Sequence, residues 1–309
     1  SRDSVVSYSK TMQNPESKEG NDGLYTLTVT VEDMSGHKVE KKATYSVNRF
    51  GSVYVYSDDL RELSEQYVQK ASGDLYVTAY NPNRLESAEL ELVCDGAAVS
   101  GQKSKADLKS GTQAGANGWY EYKFAVNKSD LSSDGRYEVK LSDKDTAGNT
   151  KTNSAHPLGF YVDATAPTLD SVIGLEDAVV NSDKQDVTYT ASDAIGLSEI
   201  EVYVGEEKQN PITEFDDIRS YNGEFTINES SGRQHVRLVV TDKAGNVLDT
   251  DDSKTYQPSY TFCSAITVSK NIFVLWYAHT ALFWSSIVAI AAIVGLILFV
   301  LFRRKKKEE

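Results

Sequence analysis

Two cysteines, six prolines and four histidines among 309 residues exclude several kinds of protein. Cys94 and Cys263 are too few and too far apart for a small disulfide scaffold. They could pair, but each sits in an alternating apolar pattern, where a buried free thiol behaving as a small hydrophobe is the commoner state. His37, His156, His235 and His279 have no paired spacing of the kind zinc needs. There is no Gly-x-Ser-x-Gly elbow, phosphate-binding glycine loop or dinucleotide fingerprint. Acidic pairs such as Asp58-Asp59, Glu206-Glu207 and Asp216-Asp217 are expected to point apart into water rather than to face each other across a cleft. The chain reads as non-catalytic. Positive charge is scarce outside the last seven residues: positions 1 to 302 carry 27 basic and 43 acidic side chains. An acidic body cannot release counterions from a phosphate backbone, so nucleic acid is excluded as a partner.

Apolar residues at 40% are enough for two or three cores. Val, Thr and Tyr recur in alternating runs that suit half-buried strands, so an all-β body is expected. The far end differs. From Ala281 to Phe302 the chain reads ALFWSSIVAIAAIVGLILFVLF, 22 residues without a formal charge. As a helix this run is about 33 Å long, enough to cross a bilayer. Trp276, Tyr277 and Trp284 flank its start and Arg303 to Lys307 follow it directly, which predicts a single-pass helix with a cytoplasmic tail and the acidic body outside. No Leu-Pro-x-Thr-Gly signal precedes it, which favours a plain membrane anchor over linkage to a cell wall. The opening SRDSVVSYSK has no Met, basic region or apolar h-region, so the chain is expected to be the C-terminal part of a longer exported protein.

A repeat runs through the body. Asp33-Met-Ser-Gly-His37, Asp145-Thr-Ala-Gly-Asn149 and Asp242-Lys-Ala-Gly-Asn246 each lie ten residues after a glycine, Gly23, Gly135 or Gly232, with a strand-like stretch between. Upstream, the segment from Thr78 to Leu90 aligns without gaps on that from Thr190 to Val202, a strand, a polar loop and a second strand. Closing strands end at Val47, Val162 and Val268, and the first two are followed by the joints NRFGS and DATAP. The expected layout is the C-terminal part of a domain over 1–48, a sandwich with a short helix insertion over 49–163, a sandwich over 164–270, a membrane-proximal and transmembrane segment over 271–302, and a basic tail over 303–309. The insertion, SDDLRELSEQYVQK at 57–70, predicts a short helix capped by Asp58 or Asp59, with Leu60, Leu63 and Tyr67 on one face. The segment 250–255 reads as a solvated loop.

DGLYTLTVTVEDMSGH, the joint VDATAPT and TDKAGN together resemble the tandem immunoglobulin-like domains of bacterial cell-surface proteins, particularly Gram-positive ones. The resemblance covers residues 1 to 270 and implies tandem immunoglobulin-like β-sandwiches followed by one transmembrane α-helix. The middle repeat departs most, with Asn81-Pro-Asn83 where the third has Asp193-Ala-Ile195. Lys–Asn isopeptide crosslinks occur in such domains, but no triad for one can be read here.

Physically, Asp-x-x-Gly makes a tight hairpin: Asp bonds amides of its own turn, and Gly takes the left-handed position. In a sandwich of this kind the loops after the second and sixth strands lie where the preceding domain enters. Asp163, Asp193 and Asp242 would then meet at a joint and could hold Ca²⁺, as related stalks do. The equivalents at the other joint, Asn48 or Arg49 with Asn81 and Asp145, make a poorer set. The expected role is a cell-surface stalk presenting an N-terminal region away from the membrane. The alternatives are an adhesin for host glycan or matrix protein, or the stalk of a surface enzyme whose catalytic domain lies upstream.

Overall fold

The computed structural model describes residues 9–308 apart from 12, 14, 19–20, 100–103, 106–111, 115–117, 210–211, 214 and 216–217. It divides into two compact units, Ser1–Asp163 and Ala164–Glu309.

The first unit opens with a hairpin, β1 (Gly23–Glu32) and β2 (Lys38–Val47), paired in register from Gly23 with Val47 to Glu32 with Lys38. A sandwich follows: β3 (Val53–Tyr56), α1 (Asp58–Glu62), β4 (Tyr67–Val68), β5 (Tyr76–Asn81), β6 (Leu85–Cys94), β7 (Ala97–Ala98), β8 (Ser104–Lys105), β9 (Thr112–Ala114), β10 (Trp119–Ala125), β11 (Gly135–Asp145), β12 (Thr150–Thr152) and β13 (Leu158–Val162). One sheet has the order β3-β5-β10-β9 and the other β4-β13-β11-β6-β7. The inward positions of both sheets alternate with outward polar ones, and Phe124, Leu90, Tyr137, Leu141 and Phe160 close the core between them.

The second unit repeats the plan. It comprises β14 (Thr168–Ile173), β15 (Val179–Val180), β16 (Lys184–Ser192), β17 (Leu197–Val204), β18 (Glu207–Lys208), β19 (Ser220–Asn228), β20 (Gln234–Asp242), β21 (Val247–Asp249) and β22 (Ala265–Val268). The sheets run β14-β16-β19 and β15-β22-β20-β17-β18. In both sandwiches the first strand divides between the sheets, its second half pairing parallel to the last strand: β4 with β13, and β15 with β22. That strand order is immunoglobulin-like. The chain then forms α2 (Ile272–Ala278), with Asn271 as N-cap, and α3 (Thr280–Glu308). Residues Thr280–Arg303 have a mean hydropathy of 2.8 and no burial, so this helix is long and apolar enough to cross a membrane.

The insertion is shorter than the helix pattern over 57–70 predicts. The helix stops at Glu62, Glu65 takes a left-handed φ of 56°, and its N–H donates to Gly159 O at 2.7 Å. Pairing of Tyr67 and Val68 with β13 outweighs the amphipathic spacing that placed Tyr67 on a helical face. The cap is Ser57, whose Oγ accepts the Leu60 N–H, rather than either aspartate. Cys94 and Cys263 are free thiols, both half-buried rather than fully enclosed, and the strand ending at Val268 starts only at Ala265. The 250–255 segment consists of turns.

Candidate metal centre

The three Asp-x-x-Gly corners share one construction. Each Asp accepts the backbone N–H four residues on with Oδ1, at 2.8 to 2.9 Å in Asp33, Asp145 and Asp242. The glycine N–H returns to the Asp carbonyl, and Gly36, Gly148 and Gly245 have φ between 84° and 92°, where any side chain would be strained. The fourth residue after the Asp also binds its second oxygen: Asn149 Nδ2 at 3.1 Å, Asn246 Nδ2 at 2.7 Å, and His37 Nδ1 at 3.1 Å. In the sequence that residue is visible only as part of the signature. Its amide clamps the carboxylate, and the recurrence of Asn at two of three copies was the available signal.

Asp193 sits in the loop between β16 and β17, where its Oδ1 accepts the N–H groups of Ile195 and Gly196 at 2.8 and 2.6 Å. Asp242 ends β20 opposite Leu197, which places both carboxylates at one end of the second sandwich. Asp163 immediately precedes Ala164, and its N–H extends the ladder to Val68 O at 2.9 Å. All three side chains are buried, and an oxygen from each lies within 4.8 Å of the others. Burial raises the Asp242 pKa above the ordinary carboxylate range and the Asp193 charge adds to this, against the bonds from Asn246. Buried carboxylate oxygens held by backbone donors fit a hard divalent cation such as Ca²⁺, which takes oxygen ligands, better than a softer metal. Asp163, Asp193 and Asp242 would hold such an ion. Bound there, it would neutralise their charge.

At the equivalent positions of the first unit the chemistry is different. Asp145 is fully buried, and its Oδ2 accepts from the side-chain amides of Asn48, Asn81 and Asn149 at 2.7, 3.2 and 3.1 Å. Its Oδ1 accepts the N–H groups of Ala147 and Asn149, both at 2.9 Å. Burial raises its pKa, but the bonds from Asn149, Asn81 and Asn48 outweigh that and the net shift is downward. The amides around Asp145 thus bring its pKa below the ordinary value, whereas at Asp242 burial outweighs the bonds from Asn246 and the Asp193 charge adds to the rise. Two residues away, Asp143 is buried with no hydrogen-bond partner on either oxygen. Desolvation raises its pKa, the nearby Ser52 and Tyr54 hydroxyls offset only part of that, and the Asp145 charge adds to the rise.

Elsewhere, His235 faces Asp251 and His37 faces Asp33, both pairs exposed.

No family model matches the chain, and no curated protein matches it. Solved structures do. Fibronectin(III)-like modules of Clostridium thermocellum CbhA match at 15% identity over 70% of this chain and 94% of theirs, with a TM-score of 0.26. A tetra-tandem repeat from the extending region of a large adhesion protein matches at 18%, over 74% of this chain and 55% of its own, with a TM-score of 0.32. A Ca²⁺-stabilized adhesin with which an Antarctic bacterium binds ice matches at 19%, over 80% of this chain and 57% of its own, with a TM-score of 0.26. This chain thus spans little more than half of either adhesion structure. The body is immunoglobulin-like. This follows from its strand order, with the first strand of each sandwich divided between two sheets.

Proposed function

We propose that this chain is a non-catalytic spacer held at a cell surface by one membrane helix, with sandwiches joined through short, hydrogen-bonded linkers. The observation that carries it is the combination in one chain of repeated sandwiches, each with the same Asp-x-x-Gly corner, and an apolar helix with no buried residue after the last of them. In this reading α3 spans the bilayer, the aromatic cluster of Trp276, Tyr277, Phe283 and Trp284 sits at the interface, and the tail after Arg303 faces the cytoplasm. The Trp276 Nε1 donates to Ser286 Oγ at 3.1 Å, which ties α2 to the start of α3.

The hairpin of β1 and β2 fits the reading as the closing strands of a further sandwich. Leu27, Val29, Val31 and Val39 share one face and are 37% to 64% exposed. Counting from Gly23 and Gly135, Leu27 and Val29 correspond to Val139 and Leu141, which are fully buried. A two-stranded ribbon with one apolar face is not independently stable, and the missing strands of such a domain would cover it. Calcium at Asp163, Asp193 and Asp242 would stiffen the entry to the second sandwich.

A binding screen of the chain in detergent against host glycans and matrix proteins separates spacer from adhesin. The spacer reading expects no saturable binding, and a saturable ligand contacting either sandwich would replace it.

A further inference from the structure

The first joint, residues 48–52, is closed by an amide at the point where a cation site would have its metal. Asn48 follows β2, as Asp163 follows β13. Its Nδ2 lies 3.0 Å from Asn81 Oδ1, 3.0 Å from Asn83 Oδ1 and 2.7 Å from Asp145 Oδ2. Three oxygens from two loops thus converge on one atom, which is how calcium loops present their ligands. An NH₂ group has two hydrogens, so one of them is shared between two of the three acceptors. The orientation of the amide follows from its other end: Asn48 Oδ1 accepts the Gly51 N–H at 3.1 Å, and a flipped amide would set donor against donor there and oxygen against three oxygens.

The cluster is built rather than incidental. Asn81 is fully buried, donates to Ser52 Oγ at 3.0 Å, and accepts the Asn83 N–H at 2.8 Å in the same turn by which Asp193 accepts Ile195. Asn149 Nδ2 reaches the Asn48 carbonyl at 3.1 Å. The linker is gripped from the other side as well: the buried Asp22 accepts the backbone N–H groups of Arg49 and Phe50 and pairs with Arg49 Nε at 2.8 Å.

We infer that Asn48 serves as a tethered substitute for a cation, so that the first joint is closed without calcium, and that the residue at this one position decides whether such a joint takes a metal. The N48D substitution changes one nitrogen for oxygen with almost no change in shape. It would leave two carboxylates and two amide oxygens facing one point, repelling each other unless a divalent cation enters. This inference extends the calcium reading of Asp163, Asp193 and Asp242 but does not depend on that site being filled.

The test uses the whole chain in detergent and reads trypsin cleavage at Arg49-Phe50 by mass spectrometry, a bond inside this joint. In the wild-type chain, cleavage proceeds at the same rate in chelator and in millimolar calcium. The N48D chain is cut about tenfold faster in chelator than in calcium, the ratio expected by mass action when calcium stands at about ten times its Kd for this joint. It also binds one more calcium per chain than wild type by equilibrium dialysis. The N48A chain, which loses the donors and gains no ligand, is cut faster in both conditions. Calcium-dependent protection of the wild-type bond would overturn the inference, as would an N48D chain that gains neither a calcium nor calcium-dependent protection. The calcium count of the wild-type chain separately reports on the second joint.

Discussion

Replacing Asp145 by Ala and, separately, Asp33 by Ala compares the same corner in two surroundings. Both aspartates make the same local bonds, but Asp145 is fully buried and Asp33 is exposed. In D145A the amides of Asn48, Asn81 and Asn149 each keep another acceptor: Asn81 and Asn83, Ser52, and the Asn48 carbonyl respectively. The N–H groups of Ala147 and Asn149 lose their side-chain acceptor. Two orphaned donors at about 1–3 kcal/mol each, eased by water entering the space, give a loss of about 3 kcal/mol. The whole D145A chain should therefore exchange its amide hydrogens about 10²-fold faster across β5, β6 and β11 than wild type, read by hydrogen-exchange mass spectrometry. D33A should leave exchange in β1 and β2 close to wild type, because water replaces the lost bonds. Equal effects of the two substitutions, or no effect of D145A, would refute the claim that the buried corner and not the motif itself carries the energy.

Asp143 gives a pH signature. Its folded pKa lies above the unfolded value, so its contribution to stability is full below the ordinary carboxylate range and is lost as pH rises through the folded value. D143N should stabilise the first unit at neutral pH and flatten that slope in melts recorded from acid to neutral pH; a destabilised variant would show that the carboxylate has a partner. Leu60 is the fully buried side chain of α1, so L60A should cost about 2–5 kcal/mol of first-unit stability in denaturant titrations, whereas a change near zero would mean α1 is not part of the core. Calcium at about ten times its Kd should add about 1.4 kcal/mol to the second unit, and D193N should abolish that gain in calorimetry. A gain that survives D193N would place the ion elsewhere.

Much of the fold is legible in the sequence because strands of period two, a repeated turn and a long apolar run are each written locally. The spacing of Gly135 from Asp145 marks β11 and its corner before any partner is known, and the Ala281 to Phe302 run marks α3 by composition alone. What is not legible depends on partners distant in sequence. The helix spacing around Tyr67 is genuine, yet β13 takes that residue by parallel pairing. That Asp193 and Asp242 lie at one end of the second sandwich is legible from loop order, because both fall at the same end of neighbouring strands. The meaning of Asn48 could not be read in the same way. Beside Arg49 it looks like a weak ligand, and only the convergence of Asn81, Asn83 and Asp145 on its Nδ2 shows that an amide stands at the centre of the site.

Protease treatment of sealed right-side-out vesicles from cells expressing the chain tests the surface-spacer reading most directly. A membrane-held spacer predicts that both sandwiches are digested from outside while a fragment beginning near Thr280 and retaining the Arg303 to Lys307 end stays protected until detergent is added. A chain that washes off the vesicles at alkaline pH, or whose sandwiches are protected while the basic end is cut, would contradict it.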